Sequence, residues 1–412
     1  MNTAPVPDAP YSFRNNGDFV RFIAARLVSG FGQQMLAGAV FYELYERTHS
    51  ALALGLVGLT EVIAIILFTL PAGHLADNHD RKSIIRTATL VIGASSLGLA
   101  LIASLQAPVA WNYACLFVSA SALTFLRPAS SAFITSLVPR SILSRAIAWN
   151  SSTFQLSCII GPTVGGALIA VTHHSWPVFL LNSLAALGCF TLLSFVRKEH
   201  VVTNPEKMTP SGMLDGFKFV FGSRTILGMI TLDVFAVLLG GAVALLPVYA
   251  KDILHVGPGG LGLLQSAMPL GAFCCGLTLA HRAPMRRAGR ALLGAVTVFG
   301  LATVGFGLSH WFWFSFAMLV VCGLADNVSI VVRHTSVQLL APDEKRGRVS
   351  AVNALFVVGA SDALGGFESG AVAHLTSPVA SVVSGGIGTI LVVVAVTLIW
   401  PEIRRYGRLD GT

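Results

Sequence analysis

Charged residues are scarce in this chain of 412 residues: Asp, Glu, Lys and Arg make up 11% of it, whereas hydrophobic types make up 54%. A soluble domain usually carries about 25% charged residues. A chain with so few charges cannot cover a water-facing surface, which excludes an ordinary soluble protein. Its apolar runs reach about 20 residues, the length at which a helix crosses a bilayer core of about 30 Å. The runs are continuous rather than alternating, which favours a helical bundle over a membrane β-barrel.

The sequence also lacks the signatures of catalysis and of metal binding. It has no phosphate-binding loop, no HExxH sequence and no nucleophile elbow. The six cysteines lie inside apolar runs without metal-ligand or disulfide spacing, and the adjacent His173 and His174 are typical of a solvated turn. The chain is therefore expected not to be an enzyme and to hold no metal or cofactor.

Twelve apolar spans are predicted along the chain. They cover 19–43, 51–74, 83–105, 111–137, 146–172, 176–196, 225–250, 259–280, 289–309, 311–340, 349–374 and 378–400. The longest polar stretch, which contains two prolines and several charges, separates the sixth span from the seventh. We therefore expect an all-α membrane protein with an N-terminal six-helix half (1–196), a cytoplasmic linker (197–224) and a C-terminal six-helix half (225–412).

Lys and Arg are concentrated in every second loop between these spans. The basic loops lie near 80–86, 140–145, 282–290 and 345–348, and the opposite loops contain only Arg47 and Lys251. Cytoplasmic loops of membrane proteins carry such an excess of positive charge. Both termini are therefore predicted to be cytoplasmic. The same bias explains the formal net charge of +8 without a nucleic-acid partner.

The two predicted halves repeat one pattern. The segments "RPASSAFITSLVPRSILSRAIAWN" at 127–150 and "RHTSVQLLAPDEKRGRVSAVN" at 333–353 each begin with an Arg late in an apolar span. Each then has a Pro, a basic turn and an Asn in the next span. Six helices repeated in parallel about an axis along the membrane normal are the organisation of a major facilitator transporter.

Two motifs make this resemblance specific. The segment "GHLADNHDRK", with Gly73, Asp77, Asp80, Arg81 and Lys82, resembles the signature between the second and third helices of the major facilitator superfamily. The segment "GPTVGG" at 161–166 resembles the fifth-helix motif of antiporters in that superfamily; its residues of interest are Gly161, Pro162, Gly165 and Gly166.

Two later segments, 325–356 and 364–370, resemble the subfamily that contains the enterobactin exporter and bacterial drug-efflux proteins. The chain departs from these patterns at several places. Ser157 replaces a Gly of the fifth-helix motif, and the basic run after Asp80 lacks a Gly. Asp362 and Gly366 stand where close relatives tend to carry Asn and Glu. Coupling details of the subfamily therefore cannot be transferred to this chain.

The resemblance implies a monomeric transporter of a bacterial inner membrane that exports a small amphiphilic molecule, a drug or a siderophore-like metabolite. Export would be coupled to protons and would proceed by alternating access. Asp77 would latch the two halves on the cytoplasmic side, where Arg81 and Lys82 would attract lipid headgroups. The motif could instead serve only as a topology anchor, and "GPTVGG" could be only a packing seam. A facilitator or an uptake symporter for a small nutrient is the alternative function.

Eight charged residues fall well inside the predicted spans, away from their ends, where an ion is costly and is retained for pairing or transport. They are Arg26, Glu61, Arg127, Asp233, Asp326, Arg333, Asp362 and Glu368. Five of them lie on the first, fourth, seventh and tenth spans, which the resemblance places around a central cavity.

The acids among them are candidate proton sites, because an acid in a low-dielectric environment holds its proton more readily. Asp233 and Asp326 lead, followed by Glu368 and Asp362. The remaining charges, with two glutamines of the first span, are candidates for the cavity or for gating: Arg26, Gln33, Gln34, Glu61, Arg127 and Arg333. Asp326 and Arg333 are about 10 Å apart along one helix, so each needs another partner. Static ion pairs that fix helix register are the alternative role.

Overall fold

The computed structural model of the chain describes residues 16–139, 142–197, 218, 220–281, 285, 287–340 and 362–407. These residues are helical, and no strand occurs among them. The helices are α1 Gly17–Thr48, α2 Ala51–Asn78, α3 Arg81–Ser104, α4 Ala110–Leu137, α5 Leu143–Thr172, α6 Trp176–Ser194, α7 Arg224–Leu239, α8 Gly257–Ala280, α9 Ala288–Gly307, α10 Phe312–Leu340, α11 Asp362–Leu375, α12 Pro378–Ile399 and α13 Pro401–Arg405.

The predicted spans coincide with these helices. In the described part of the chain, ten helices are long and apolar enough to cross a membrane. The other two predicted spans correspond to α1 and to α11, of which 14 residues are described. The first part of the eleventh predicted span, 349–361, lies outside the described residues. The total of twelve spans and the cytoplasmic position of the termini therefore stay predictions.

Local capping explains several helix boundaries. The side chains of Asn16, Asp80 and Ser377 accept hydrogen bonds from the first backbone N–H groups of α1, α3 and α12. Such caps satisfy donors that have no partner inside the helix. At the other end, α1 and α5 stop at His49 and His173, whose backbones adopt the left-handed conformation, with φ of 48° and 57°.

The seventh predicted span is not a continuous α-helix. It leaves α-helical geometry after Leu239 and continues through a 3₁₀ turn at Ala242–Leu245, a short helical turn and a π-helical turn at Tyr249–Ile253. Gly240 and Gly241 lie at the break. A methyl group added at Gly241 would lie 2.5 Å from the Ser369 hydroxyl oxygen. Glycine is therefore required there, because α11 packs directly against the backbone of the break.

The helices form two groups, α1–α6 and α7–α13. We call the end of the bundle that carries Arg81, Lys82, Arg290 and Arg404 the basic end, and the end that carries Tyr45, Trp111, Trp176 and Trp311 the aromatic end. Near the aromatic end one apolar core contains side chains of both groups, such as Leu44 and Leu264. Near the basic end each group has its own core, around Phe22 in one and Leu292 in the other. The apolar cores of the described residues therefore join the groups at one end and do not join them at the other. The predicted domain division at 197–224 falls mostly outside the described residues and stays a prediction.

Candidate functional site

A buried ion pair joins α7 to α10. The Asp233 carboxylate contacts the Arg333 guanidinium, and the two residues are only 4% and 1% exposed. Removing a carboxylate and a guanidinium from water is costly unless they pair. Arg333 thus has the additional partner that the sequence spacing required. The structure brings together two residues that are 100 positions apart and that sequence reasoning had named only separately.

The Asp233 carboxylate also faces a small cavity. Asp326 and Ser329 of α10 line this cavity with Asp233 and several apolar side chains, and it has room for about one water molecule. The second carboxylate oxygen of Asp233, Oδ2, is buried and has no hydrogen-bond partner among the described residues. The two leading proton-site candidates therefore line one small cavity beside the Arg333 positive charge.

The other acidic candidates belong to α11 and α2. Glu368 is half-buried and accepts a hydrogen bond of 3.4 Å from the Ser369 hydroxyl. Asp362 is the first described residue of α11, and its side chain lies outside the described atoms. Glu61 is an exposed residue of α2. The coupling role of Glu368 and Asp362 and the cavity or gating role of Glu61 stay predictions.

The polar candidates of α1 and α4 belong to the other group of helices. Arg26 is half-buried and Arg127 is exposed. The Gln34 amide donates a 2.6 Å hydrogen bond to the Cys158 sulfur of α5, so Gln34 makes a helix–helix contact. The Gln33 amide nitrogen Nε2 is buried and has no hydrogen-bond partner among the described residues. Gln33 therefore differs from its neighbour in having an unused donor.

The charged motif between α2 and α3 holds the basic end of the N-terminal group together. The Asp80 carboxylate caps α3 by accepting from the Lys82 and Ser83 backbone N–H groups. The Arg81 guanidinium donates to the Ala132 carbonyl of α4 at 3.2 Å, and the Lys82 ammonium donates to the Val196 carbonyl at 2.6 Å. Positive side chains favour the negative end of a helix dipole.

The other two motif residues lie on α2. Asp77 is in its last turn, and its side chain lies outside the described atoms. A methyl group at Gly73 would meet no atom within 4 Å. The latch predicted for Asp77 therefore stays a prediction.

The segment 161–166 packs α5 against two partners. A methyl group at Gly161 would lie 3.2 Å from the Phe31 carbonyl oxygen, and one at Gly165 would lie 3.2 Å from the Met35 carbonyl oxygen. Both of these glycines therefore face α1. Gly166 faces α8 in the other group, and the neighbouring Pro162 carbonyl contacts Gly262 of that helix. Small residues permit such close helix approach.

Two glycine pairs join the groups near the aromatic end. A methyl at Gly166 would lie 3.0 Å from the Gly262 Cα atom, and one at Gly55 would lie 3.2 Å from the Gly370 Cα atom. Sequence reasoning missed Gly55, Gly262 and Gly370. No short sequence pattern marks them, because "LGL" occurs at 97–99 as well as at 54–56 and 261–263, and "GA" occurs at eight places in the chain. One junction therefore pairs α5 with α8, and the other pairs α2 with α11.

Polar contacts reinforce this junction. The Thr163 and Ser266 hydroxyl oxygens are 2.7 Å apart across α5 and α8. At the end of α1, the Tyr45 hydroxyl donates to the Asp252 carboxylate, and the Lys251 ammonium lies 2.7 Å from a Glu46 carboxylate oxygen. Asp252 and Lys251 belong to the π-helical turn. The irregular end of the seventh span is thereby attached to α1.

These features define a class of protein. Spanning helices in two groups, joined closely at one end and carrying buried charges along their length, are the organisation of a membrane transporter. The chain belongs to the Major Facilitator Superfamily, whose sequence profile matches residues 22–366. It is a multi-pass protein of the bacterial inner membrane.

Curated relatives are similar over nearly the whole chain. The chain is 29% identical to the enterobactin exporter of Shigella flexneri over 391 residues, which cover 93% of this chain and 91% of that protein. The enterobactin exporter of Escherichia fergusonii gives the same identity and coverage.

Solved structures show the same fold at low sequence identity. The transporter PepTSo of the POT family has a TM-score of 0.75 and 13% identity, with 96% of this chain and 99% of that chain covered. A bacterial homologue of the human lysosomal transporter Spinster, in an inward-facing and unoccupied conformation, has a TM-score of 0.72 and 14% identity. Coverage is 96% of this chain and 97% of that chain.

Proposed function

We propose that this protein is a secondary active transporter that exports a small amphiphilic molecule in exchange for protons, by alternating access. The observation that carries the proposal is the buried Asp233–Arg333 pair beside the cavity that Asp326 lines. Similarity to enterobactin exporters supports the outward direction and a siderophore-like or drug-like substrate. No phosphate-binding motif for ATP hydrolysis occurs in the sequence, which is consistent with an ion gradient as the energy source.

The ion pair offers a physical means of coupling. Protonation of the Asp233 carboxylate removes the negative charge that faces the Arg333 guanidinium. A buried positive charge that loses a counter-charge is strongly destabilised. Protonation would therefore favour a different packing of α7 against α10. Asp326, on the same cavity, would pass protons between Asp233 and water.

The separation of the groups supplies the two states of the cycle. We assign the basic end to the cytoplasm, because cytoplasmic loops are rich in Lys and Arg. In the present conformation the groups have separate cores at that end and a shared core at the other. This arrangement supports access from the cytoplasm. The opposite state would open the glycine junctions at the aromatic end and bring the basic ends together, with Asp77 as the proposed latch.

The proposal is tested with the purified protein in liposomes that enclose a pH-sensitive dye. Siderophores and hydrophobic drugs are added one at a time to the wild type and to Asp233→Asn. One compound is expected to cause proton movement in the wild type and little in the variant. Glu402→Gln is the matched control, because Glu402 faces Arg224 in an exposed pair at 3.4 Å. This control should move protons as the wild type does.

Other outcomes separate the alternatives. Proton movement that survives Asp233→Asn would transfer the coupling role to Asp326, Glu368 or Asp362. Uptake of a compound without any proton movement would contradict coupled export and indicate a facilitator. Proton movement in the same direction as the compound would indicate a symporter.

A further inference from the structure

Arg26, Arg127 and Gln33 take no part in the ion pair of α7 and α10. We propose that these three side chains form a binding site for an anionic group of the transported molecule. The inference rests on the proposed function and narrows its substrate class. The expected ligand is a carboxylate, sulfonate or phosphate attached to an apolar body.

Packing places the two arginines at similar depth. The rings of Phe22 in α1 and Phe133 in α4 are in edge contact, with centroids 5.5 Å apart. Helices α1 and α4 are antiparallel, so residues that follow Phe22 in α1 lie at the level of residues that precede Phe133 in α4. Arg26 lies four residues from Phe22, and Arg127 lies six residues from Phe133, which correspond to about 6 Å and about 9 Å along the helices. Arg127 is near enough to Arg26 for their like charges to repel each other.

This positive charge has no local compensation in the described part of the chain. The ion pairs described for α1 are Asp18–Arg21, Glu43–Arg47 and Glu46–Lys251, and none of them involves Arg26. Arg127 also has no carboxylate partner among the described residues. Two like charges at membrane depth are costly to keep. An anion bound between them would remove their mutual repulsion.

Gln33 extends the arrangement along α1. It follows Arg26 by seven residues, and positions seven apart lie on the same face of a helix. Its amide Nε2 is buried and lacks a hydrogen-bond partner among the described residues. A buried donor without a partner is unfavourable. Two guanidinium groups and one amide donor together match a multidentate anion, because guanidinium binds carboxylate and phosphate oxygens in pairs.

The site and the proposed proton site lie in different groups of helices. Arg26, Arg127 and Gln33 belong to α1 and α4, whereas Asp233 and Arg333 belong to α7 and α10. An anion held by the first group and a proton held by the second would both respond to the same rearrangement of the groups.

The test measures binding rather than transport. The full-length protein in phosphatidylcholine nanodiscs is dialysed against three probes of one shape: 2-naphthoate, 2-naphthylmethanol and 2-naphthylmethylammonium. We expect the wild type to bind naphthoate most tightly. Arg26→Gln and Arg127→Gln should each weaken naphthoate binding about tenfold or more, as for the loss of a charged hydrogen bond. Binding of the neutral alcohol should stay within about twofold, a change that is small on this scale.

Three further variants make the result specific. Arg127→Lys retains the charge and should bind naphthoate more tightly than Arg127→Gln does. Arg290→Gln removes an exposed positive charge in the first turn of α9 and should leave the binding of all three probes unchanged. Gln33→Leu should weaken naphthoate binding and not binding of the alcohol.

Several results would overturn the inference. Naphthoate binding that is equal in wild type and in both Arg→Gln variants would do so, as would equal weakening of all three probes. Displacement of naphthoate by phosphatidylglycerol in the discs would assign the arginines to lipid headgroups instead. Arginine-dependent naphthoate binding without proton movement in liposomes would retain the anion site and reject only the coupling.

Discussion

Arg333 is among the largest side chains that the bundle buries completely, and Asp233 is a charged group in direct contact with it. A charge in this position is retained only with compensation, so the identity of each residue depends on the other. The pair therefore combines a stabilising role with the proposed functional one. A thermodynamic cycle separates the two roles.

We expect Asp233→Leu and Arg333→Met to destabilise the protein by about 3–5 kcal/mol each, because each leaves a buried charge that has lost its partner. The double variant should be destabilised by clearly less than the sum, since both charges are then absent. Thermal unfolding of the purified variants measures this. Additive effects would show that the two side chains do not stabilise each other.

At the scale of a single helix, the capping of α3 by Asp80 can be tested. Its carboxylate accepts from two N–H groups at the start of α3. Asp80→Ala should lower stability by about 1 kcal/mol, whereas Asp80→Asn should change it little, because Asn caps helices about as well as Asp. The free energies of unfolding of the two variants show whether Asp80 stabilises the protein through its capping hydrogen bonds or through its negative charge. Equal loss in both would assign the effect to the negative charge.

The glycine junction between α5 and α8 yields a sharper prediction. Gly262→Val should prevent the aromatic end from closing, because even a methyl there would lie 3.2 Å from the Gly166 Cα atom and tight packing resists added volume. Spin labels at the exposed residues His49 and His255 should then show a longer distance than in the parent. Gly276→Val, on the same helix, is the control, since a methyl there would meet no atom within 4 Å. An unchanged distance in Gly262→Val would contradict the junction.

The sequence predicts the helices well and their partners poorly. Apolar runs determine each span locally, so predicted and observed bounds differ by a few residues for most helices, as for 111–137 and α4 Ala110–Leu137. The partner of Arg333 is 100 residues away, and that pairing depends on how α7 packs against α10. Gly55 and Gly370 likewise look like any other glycine of a membrane helix in the sequence. Their contact depends on how α2 packs against α11. The irregular turns after Leu239 were not predicted, because the hydropathy of the segment is continuous there.

At the scale of the whole molecule, the shared core and the two separate cores determine where movement is possible. Near the aromatic end the groups are held by backbone contacts at glycines and by the contacts of α1 with residues 249–253. Near the basic end the described apolar cores do not cross between the groups. In the proposed cycle the two groups would exchange which end is packed, while each keeps its own interior. Rigid groups that rock about a central region are the usual basis of alternating access.

A covalent link across the aromatic end should arrest this exchange. In a variant without native cysteines, Glu46→Cys with Lys251→Cys replaces two residues whose charged ends, Glu46 Oε2 and Lys251 Nζ, are 2.7 Å apart across the groups. Cysteine is shorter than either side chain, and a direct disulfide needs Cα atoms within about 7 Å, so a bifunctional methanethiosulfonate reagent makes the link. Cross-linking should abolish transport, and reduction should restore it. The control pair, Arg47→Cys with Ala107→Cys, replaces residues that contact each other within one group and should leave transport intact. Full transport by the cross-linked first pair would contradict movement at this end.

The glycine junctions also determine how the gene would tolerate random change. At Gly166, Gly262, Gly55 and Gly370 the limit is the space beside the backbone, so every replacement adds at least one atom where there is none to spare. In a library with every substitution at these positions, all replacements should therefore reduce transport to a similar degree, with Ala nearly as harmful as Asp. At Arg26 and Arg127 the loss of transport should instead depend on the charge of the replacement, with Lys best tolerated. Two kinds of constraint in one protein would thus be distinguishable from sequencing counts alone.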